Sequence, residues 1–139
     1  MVELFTSRWA NKDLADLVCQ PVGISRDTPR FSTGYRYRLL RELAPDDKTW
    51  GSLDDPDAFR TSYLDQLKRI GADAILARLD GVSGGLPIVM HCYENVLKGE
   101  LCHRRYLAAF LEQEAGVPVP EWAPGMIPRH PDAPQPNLF

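Results

Sequence analysis

A short apolar run in the second half of the chain constrains the fold more than any other feature. Residues 86–92, LPIVMHC, follow a glycine-rich stretch at residues 81–85 and are dominated by apolar side chains. A continuous apolar run of this length after glycines is typical of a strand that is buried on both faces. Strands of that kind belong to parallel sheets covered by helices. The run therefore predicts a buried strand in a mostly parallel sheet.

Three amphipathic patterns predict helices before and after this strand. Asp55 is a capping residue before Pro56, and Gly71 ends the first pattern. The second pattern covers residues 72–79, and the third, which is the strongest, covers residues 103–116. Apolar side chains recur at helical spacing in all three. They are Phe59, Tyr63, Leu67, Ile70, Ile75, Leu76, Leu79, Tyr106, Leu107, Phe110 and Leu111.

Two segments of the first half have the composition of short strands, residues 2–6 and residues 17–22. Because proline cannot donate to the ladder, we expect a strand end or an edge at Pro21. Residues 11–15 are predicted to form a short helix, and residues 39–43 fit a strand or a helical turn. Helices that separate short apolar strands predict an α/β fold, a single layered domain with a small, mostly parallel sheet flanked by helices.

Chain length and composition fit one domain. A length of 139 residues and a hydrophobic fraction of 44% support one sizeable core. We predict an α/β domain at residues 1–117, followed by a proline-rich C-terminal tail at residues 118–139. The tail has no helical periodicity, so we expect it to run over the surface or to be partly disordered.

Composition also narrows the partners and the location. No apolar run approaches the roughly 18 residues needed to cross a bilayer, and the first residues lack the layout of an export signal. Three cysteines are an odd number and too few for a secreted disulfide framework. We therefore expect no membrane association, a cytoplasmic location, and cysteines that are free thiols, core residues or metal ligands. A net charge of −3 disfavours broad nucleic-acid binding, whereas a small anionic ligand needs only a local cluster of positive groups.

Polar residues follow the apolar run directly and predict a ligand site. Ligands of parallel sheets bind beyond the carboxyl ends of the strands, and the first turn of a helix attracts anions. The predicted catalytic residues are Cys92 and Glu94, at the strand end, and Cys102 and His103, at the start of the last helix. Arg104 is predicted to bind an anion. The alternative is a structural network of these same residues that holds no ligand.

A second cluster follows the strand predicted at residues 17–22. The predicted ligand-binding residues are Gly23, which lets the backbone approach a ligand, Ser25, which offers a hydroxyl, and the cationic Arg26 and Arg30. The alternative is a solvated turn whose arginines pair with Asp27, Asp46 or Asp47. If the two strands are neighbours, both loops open at one crevice. Aromatic residues either stack on a ligand ring or cover the core; the candidates are Trp9, Tyr35, Tyr37 and Trp50.

Two sharper assignments fail on spacing. A cysteine phosphatase carries an arginine six positions after its cysteine, whereas Lys98 stands there and bulky residues fill the loop between. A zinc site formed by Cys92, Cys102 and His103 would need two adjacent ligands at a helix start, and the chain has no CxxC pair. We therefore predict neither a metal nor a cofactor.

Four short motifs carry a resemblance to a known family. They are PVGISR at residues 21–26, RELAP at residues 41–45, Cys92-x-Glu94, and Cys102-His103-Arg104. In these motifs the chain resembles the bacterial and phage family called "domain of unknown function 488", over about residues 4–116. Many members carry an Asp-Val-Arg strand end where this chain has CQP at residues 19–21, so no role of that acidic residue carries over. The resemblance implies an α/β domain with these polar positions around one pocket, and it implies no reaction.

Two functions fit these residues. The first is a small enzyme acting on an anionic, nucleotide-like or nucleobase-containing ligand that Arg26 and Arg104 hold. Glu94 or His103 would be its general acid or base, and a cysteine its nucleophile. The alternative is a binding-only module that senses or sequesters such a ligand without chemistry. A third interpretation is a structural polar network in a molecule that works through a protein partner.

Overall fold

The structure, a computed structural model, describes residues 2–93 and 103–133. Its strands are β1 Leu4–Arg8, β2 Gln20–Gly23, β3 Arg38–Leu39 and β4 Ile88–Cys92. Its α-helices are α1 Asp47–Trp50, α2 Pro56–Ile70, α3 Ala72–Ser83 and α4 His103–Ala115. Two 3₁₀ helices, Lys12–Asp16 and Arg41–Leu43, follow β1 and β3.

The four strands form one parallel sheet in the order β1-β4-β2-β3. All five residues of β4 are buried, which is the consequence of its central position between β1 and β2. One face of the sheet packs on α2, α3 and α4 through a large apolar core, and the other face carries a smaller apolar cluster. The predicted α/β fold with a parallel sheet is therefore confirmed.

Pro21 is the second residue of β2, close to the strand end that its missing N–H suggests, but β2 is an internal strand and not an edge. Gln20 N donates to Pro87 O at 2.8 Å, and Ile24 N donates to His91 O at 3.0 Å. Backbone groups alternate in direction along a strand, so the nitrogen of Pro21 faces away from β4. On that side β3 begins to pair only at Val22. The proline is tolerated because the ladder lacks a partner at its level.

The local signals for the helices correspond to observed contacts. Asp55 caps α2 by accepting a hydrogen bond from Ala58 N at 3.2 Å, and Gly71 ends the helix at φ 91°. The next helix, α3, runs beyond the predicted residue 79 because Val82 extends its buried face. No helix of the described residues is long and apolar enough to span a membrane.

Residues 118–129, which we call the strap, lie against β1 and the 3₁₀ helix after it. Thr6 N donates to Pro120 O at 3.0 Å, and Trp122 N donates to Thr6 O at 2.7 Å. Val119 and Ile127 are buried at 0% and 3% exposure. The expected surface course of the tail therefore does not describe this part of it, because separate apolar residues between its prolines reach the core.

His91 occupies an aromatic environment on the second face of the sheet. Its ring centroid lies 4.1 Å from that of Trp9 and 5.7 Å from that of Tyr35, with Tyr37 also in contact. Neither ring nitrogen has a hydrogen-bond partner among the described residues. Burial lowers the pKa of His91 to about 3. Trp9, Tyr35 and Tyr37 thus cover the sheet. Of the two roles that the sequence allows these residues, this is covering the core and not stacking on a ligand.

The close approach of Trp9 to β2 predicts a steric effect at Gly23. A Cβ atom on Gly23 would lie 2.5 Å from Cζ2 of Trp9, whose side chain is buried and cannot move aside easily. We expect Gly23→Ala to lower the free energy of unfolding by about 1–3 kcal/mol in urea titrations. Gly81→Ala is the control, since a Cβ there meets no atom within 4 Å and the residue is helical. The packing explanation would be wrong if Gly23→Ala matched the wild type.

The burial of His91 predicts a stability that declines in acid. The unfolded chain takes up a proton on this residue near pH 6.5, whereas the folded chain takes it up only near pH 3. The free energy of unfolding should therefore fall as the pH drops through this window. Each pH unit of this drop raises the unfolding equilibrium constant by up to about tenfold. We expect His91→Phe to reduce this slope in urea titrations between pH 7 and 4, while the buried His103 keeps a slope of the same sign. The exposed His130→Gln controls for the loss of an imidazole, and an unchanged slope in His91→Phe would contradict the assignment.

Candidate functional site

Among the hollows formed by the described residues, two lie at the carboxyl edge of the sheet, one on each side of the end of β4. The smaller one, which we call the crevice, has a volume of about 60 Å³. It is lined by Ser25, Arg26, Asp27, Pro45, Trp50, Tyr93 and His103. The larger one, which we call the basin, has a volume of about 640 Å³. It is lined in part by Ser7, Arg8, Asn11, Lys12, Arg104 and Glu121.

Ser25 and Arg26 line the crevice because they follow Ile24, the first residue after β2. The Ser25 hydroxyl accepts a hydrogen bond from Trp9 Nε1 at 2.9 Å and donates to Asp27 O at 2.6 Å. The guanidinium of Arg26 donates to Pro45 O at 3.1 Å and to the carboxylate of Asp47 at 2.7 Å. The side chain of Arg26 is one-third exposed, so this pairing, which the sequence offers as an alternative, leaves it within reach of solvent.

His103, the first residue of α4, forms the inner wall of the crevice. Its Nε2 lies 2.6 Å from the carbonyl oxygen of Ile24. Because a carbonyl oxygen only accepts, Nε2 carries the proton and Nδ1 is the basic nitrogen of the neutral ring. Burial lowers the pKa of His103 to about 4. The ring is therefore neutral at pH 7 and can act there as a base.

Two exposed aromatic side chains form the rim of the crevice. Trp50 is 47% exposed and Tyr93 is 43% exposed, although large aromatic residues usually bury most of their surface. The Trp50 ring lies under the guanidinium of Arg26, with 5.3 Å between the ring centroid and Cζ. The Tyr93 hydroxyl donates to Asp27 O at 3.2 Å, which fixes the position of its ring. Of the aromatic residues proposed for stacking, Trp50 is the one that lines this hollow.

Arg104, the second residue of α4, forms the floor of the basin. Its Nη2 donates to Glu121 Oε2 at 2.7 Å, and its Nε donates to Glu121 Oε1 at 3.0 Å. The side chain is 1% exposed, so the carboxylate on the strap is the counterion of a buried guanidinium. Nη1 also approaches the sulfur of Cys92 at 3.3 Å.

The described cysteines do not present a reactive thiol to either hollow. Cys92 is fully buried and takes part in a disulfide bond. Cys19 is free, but it packs against the apolar cluster of the second face, and burial raises its pKa to about 11. The candidate residues Glu94 and Cys102 lie outside the described residues.

Two of the remaining candidate residues line neither hollow, and two residues that do line the basin were not predicted. Gly23 lies directly beneath the ring of Trp9 and lines neither hollow. Arg30 is exposed on the loop after β2 and also lines neither. Sequence reasoning missed Arg8 and Lys12, which line the basin. Arg8 is the last residue of β1, so the rule that selects residues at the carboxyl ends of strands could have found it.

A sequence model of the family described as "domain of unknown function DUF488" matches residues 11–111. This segment contains every residue that lines the crevice, whereas β1 and the strap lie outside it. No curated protein and no solved structure matches the chain significantly. The family match agrees with the resemblance carried by the glycine–serine–arginine loop and the late cysteine, histidine and arginine motifs. The chain therefore belongs to the DUF488 family.

Proposed function

We propose that the protein binds a small nucleotide-like ligand at the crevice. The observation that carries this proposal is the meeting of Arg26 and His103 with two exposed aromatic rings at one carboxyl-edge hollow. A planar base binds on a flat apolar surface, and an anionic group binds beside a cation. The polar edge of the base needs hydrogen-bonding groups inside the hollow. The crevice offers each of these.

The aromatic rim supports a ligand with a ring. Trp50 and Tyr93 are both close to half exposed, and a stacked base would remove part of that surface from water. Stacking of a base on an aromatic side chain contributes about 1–3 kcal/mol. The enclosed volume of about 60 Å³ holds only the edge of such a ring, so its faces would lie against the rim.

Arg26 supports an anionic group on that ligand. Its described contacts use one N–H each from Nη1 and Nη2. A guanidinium has five N–H donors, so three remain for a phosphate or carboxylate. The partner Asp47 has a 96% exposed side chain, and water and salt screen such a pair strongly. A ligand anion can therefore share Arg26 without removing a buried counterion.

A second candidate function is catalysis on the same ligand, which the neutral ring of His103 favours. His103 lines the crevice and is uncharged at neutral pH, so its ring can accept a proton there. It would accept a proton from a ligand group or from a water molecule held beside Arg26. Binding needs only the arginine and the aromatic rings, and catalysis needs His103 as well.

Removal of either rim aromatic residue tests the binding proposal. We expect Trp50→Ala and Tyr93→Ala each to weaken the binding of adenosine monophosphate by about tenfold, because each removes one stacking surface. Isothermal titration calorimetry measures this directly. Phe31→Ala is the matched control, since Phe31 is 48% exposed and does not line the crevice. Equal affinities for all four proteins, or no binding of this and other nucleoside monophosphates, would refute the proposal.

Replacement of the base separates catalysis from binding. In His103→Gln the side-chain amide can still donate to Ile24 O, but it has no basic nitrogen. We expect turnover to fall by about a hundredfold or more, while affinity for the nucleotide changes little. Turnover of the wild type should also rise with pH through about 4 and then level off, because His103 must lose its proton to act. Nuclear magnetic resonance spectra of a panel of nucleotides mixed with each protein measure both the binding and the conversion of the nucleotide. A wild type that binds but converts nothing identifies a binding module.

A further inference from the structure

The basin is larger than the crevice and lies between the end of β1 and the strap. Its volume of about 640 Å³ is in the range of small-molecule sites. The crevice proposal does not use it, and both β1 and the strap lie outside the segment that matches the family. It is also at the carboxyl edge of a parallel sheet, where ligands of such sheets bind.

The charges around the basin are unbalanced. Arg8, Lys12 and Arg104 are positive, and Glu121 is the negative residue of the lining. Glu121 neutralises Arg104, and its carboxylate also accepts a hydrogen bond from the Thr6 hydroxyl at 2.7 Å. Neither Arg8 nor Lys12 forms an ion pair or a side-chain hydrogen bond with a described residue. The basin therefore has two positive charges that no described carboxylate offsets.

Fixed polar groups lie beside these cations. Asn11 Nδ2 donates to the Ser7 hydroxyl at 3.0 Å, and Asn11 Oδ1 accepts from Asp13 N at 3.1 Å. The Ser7 hydroxyl accepts the hydrogen bond from Asn11. Its own proton has no acceptor among the described residues, so it can donate to a ligand. The strap adds the mainly apolar side chains of Trp122, Ala123 and Pro124 to the lining.

We propose that the basin is a second binding site, for a small phosphate monoester. Two cations without a counterion among the described residues match the dianionic phosphate group, and Arg8 can bind it through two parallel hydrogen bonds. A carboxylate would offset only one of the two charges. Trp122 and its apolar neighbours cover the organic part of the ligand. The site takes the phosphate without breaking the pair between Arg104 and Glu121, which anchors the strap.

Calorimetry with phenyl phosphate tests this site. We expect the wild type to bind phenyl phosphate, and Arg8→Gln and Lys12→Gln each to bind it about tenfold more weakly, because each removes a charge-assisted contact. Arg60→Gln and Lys68→Gln are matched controls at exposed cations of α2 and should stay within about twofold of the wild type. Phenol, which lacks the phosphate, should bind at least about a hundredfold more weakly than phenyl phosphate. The proposal is overturned if the wild type shows no binding, or if Arg8→Gln and Lys12→Gln bind like the controls.

A further variant distinguishes the basin from the crevice. Trp50→Ala should leave the affinity for phenyl phosphate within about twofold, because Trp50 lines the crevice and does not line the basin. Loss of binding in Trp50→Ala, with retention in Arg8→Gln, would overturn the basin site and leave the crevice proposal standing. Loss of binding in Arg8→Gln, with retention in Trp50→Ala, would support the basin site whether or not the crevice binds a nucleotide.

Discussion

The buried guanidinium of Arg104 is the interaction on which both hollows depend. At 1% exposure this charge requires a counterion, and Glu121 supplies one through two short hydrogen bonds. Removal of one partner from such a pair typically costs about 3–5 kcal/mol, because the remaining charge stays buried. The pair joins α4, the end of β4 and the strap. It therefore fixes the start of α4 at the point where the crevice and the basin meet.

The geometry of a helix explains why neighbouring residues serve different hollows. Consecutive residues of a helix point about 100° apart, so His103 faces the loop after β2 while Arg104 faces β1 and the strap. Sequence reasoning places them in one site because they are adjacent in the chain. Because α4 begins beside the end of β4, its first two residues line hollows on opposite sides of that strand.

Most of the fold is readable from the sequence because its signals are local. The cap at Asp55, the helical spacing in α2 and α4, and the apolar run of β4 each lie within a few residues. The strap is different, since its contact between Thr6 and Glu121 spans 115 positions of the chain and its prolines erase any periodicity. The enclosure of the basin depends on the same long-range contacts, although Arg8 itself lies at a strand end. Nothing near Arg8 in the sequence indicates that α4 and the strap will close around it.

The two proposed sites place a few cations locally in a chain whose net charge is negative. The chain has a net charge of −3, yet Arg8, Lys12 and Arg26 face the carboxyl edge. Exposed acidic residues lie on other faces as well, and six of them are on α2, α3 and the turn before them: Asp54, Asp55, Asp57, Asp65, Asp73 and Asp80. At the crevice, Asp27 and Asp47 are also exposed. A polyanion long enough to contact several faces would meet these carboxylates, whereas a small anion meets only the local positive potential. An acidic protein can thus select a phosphate-sized ligand by where it places a few cations.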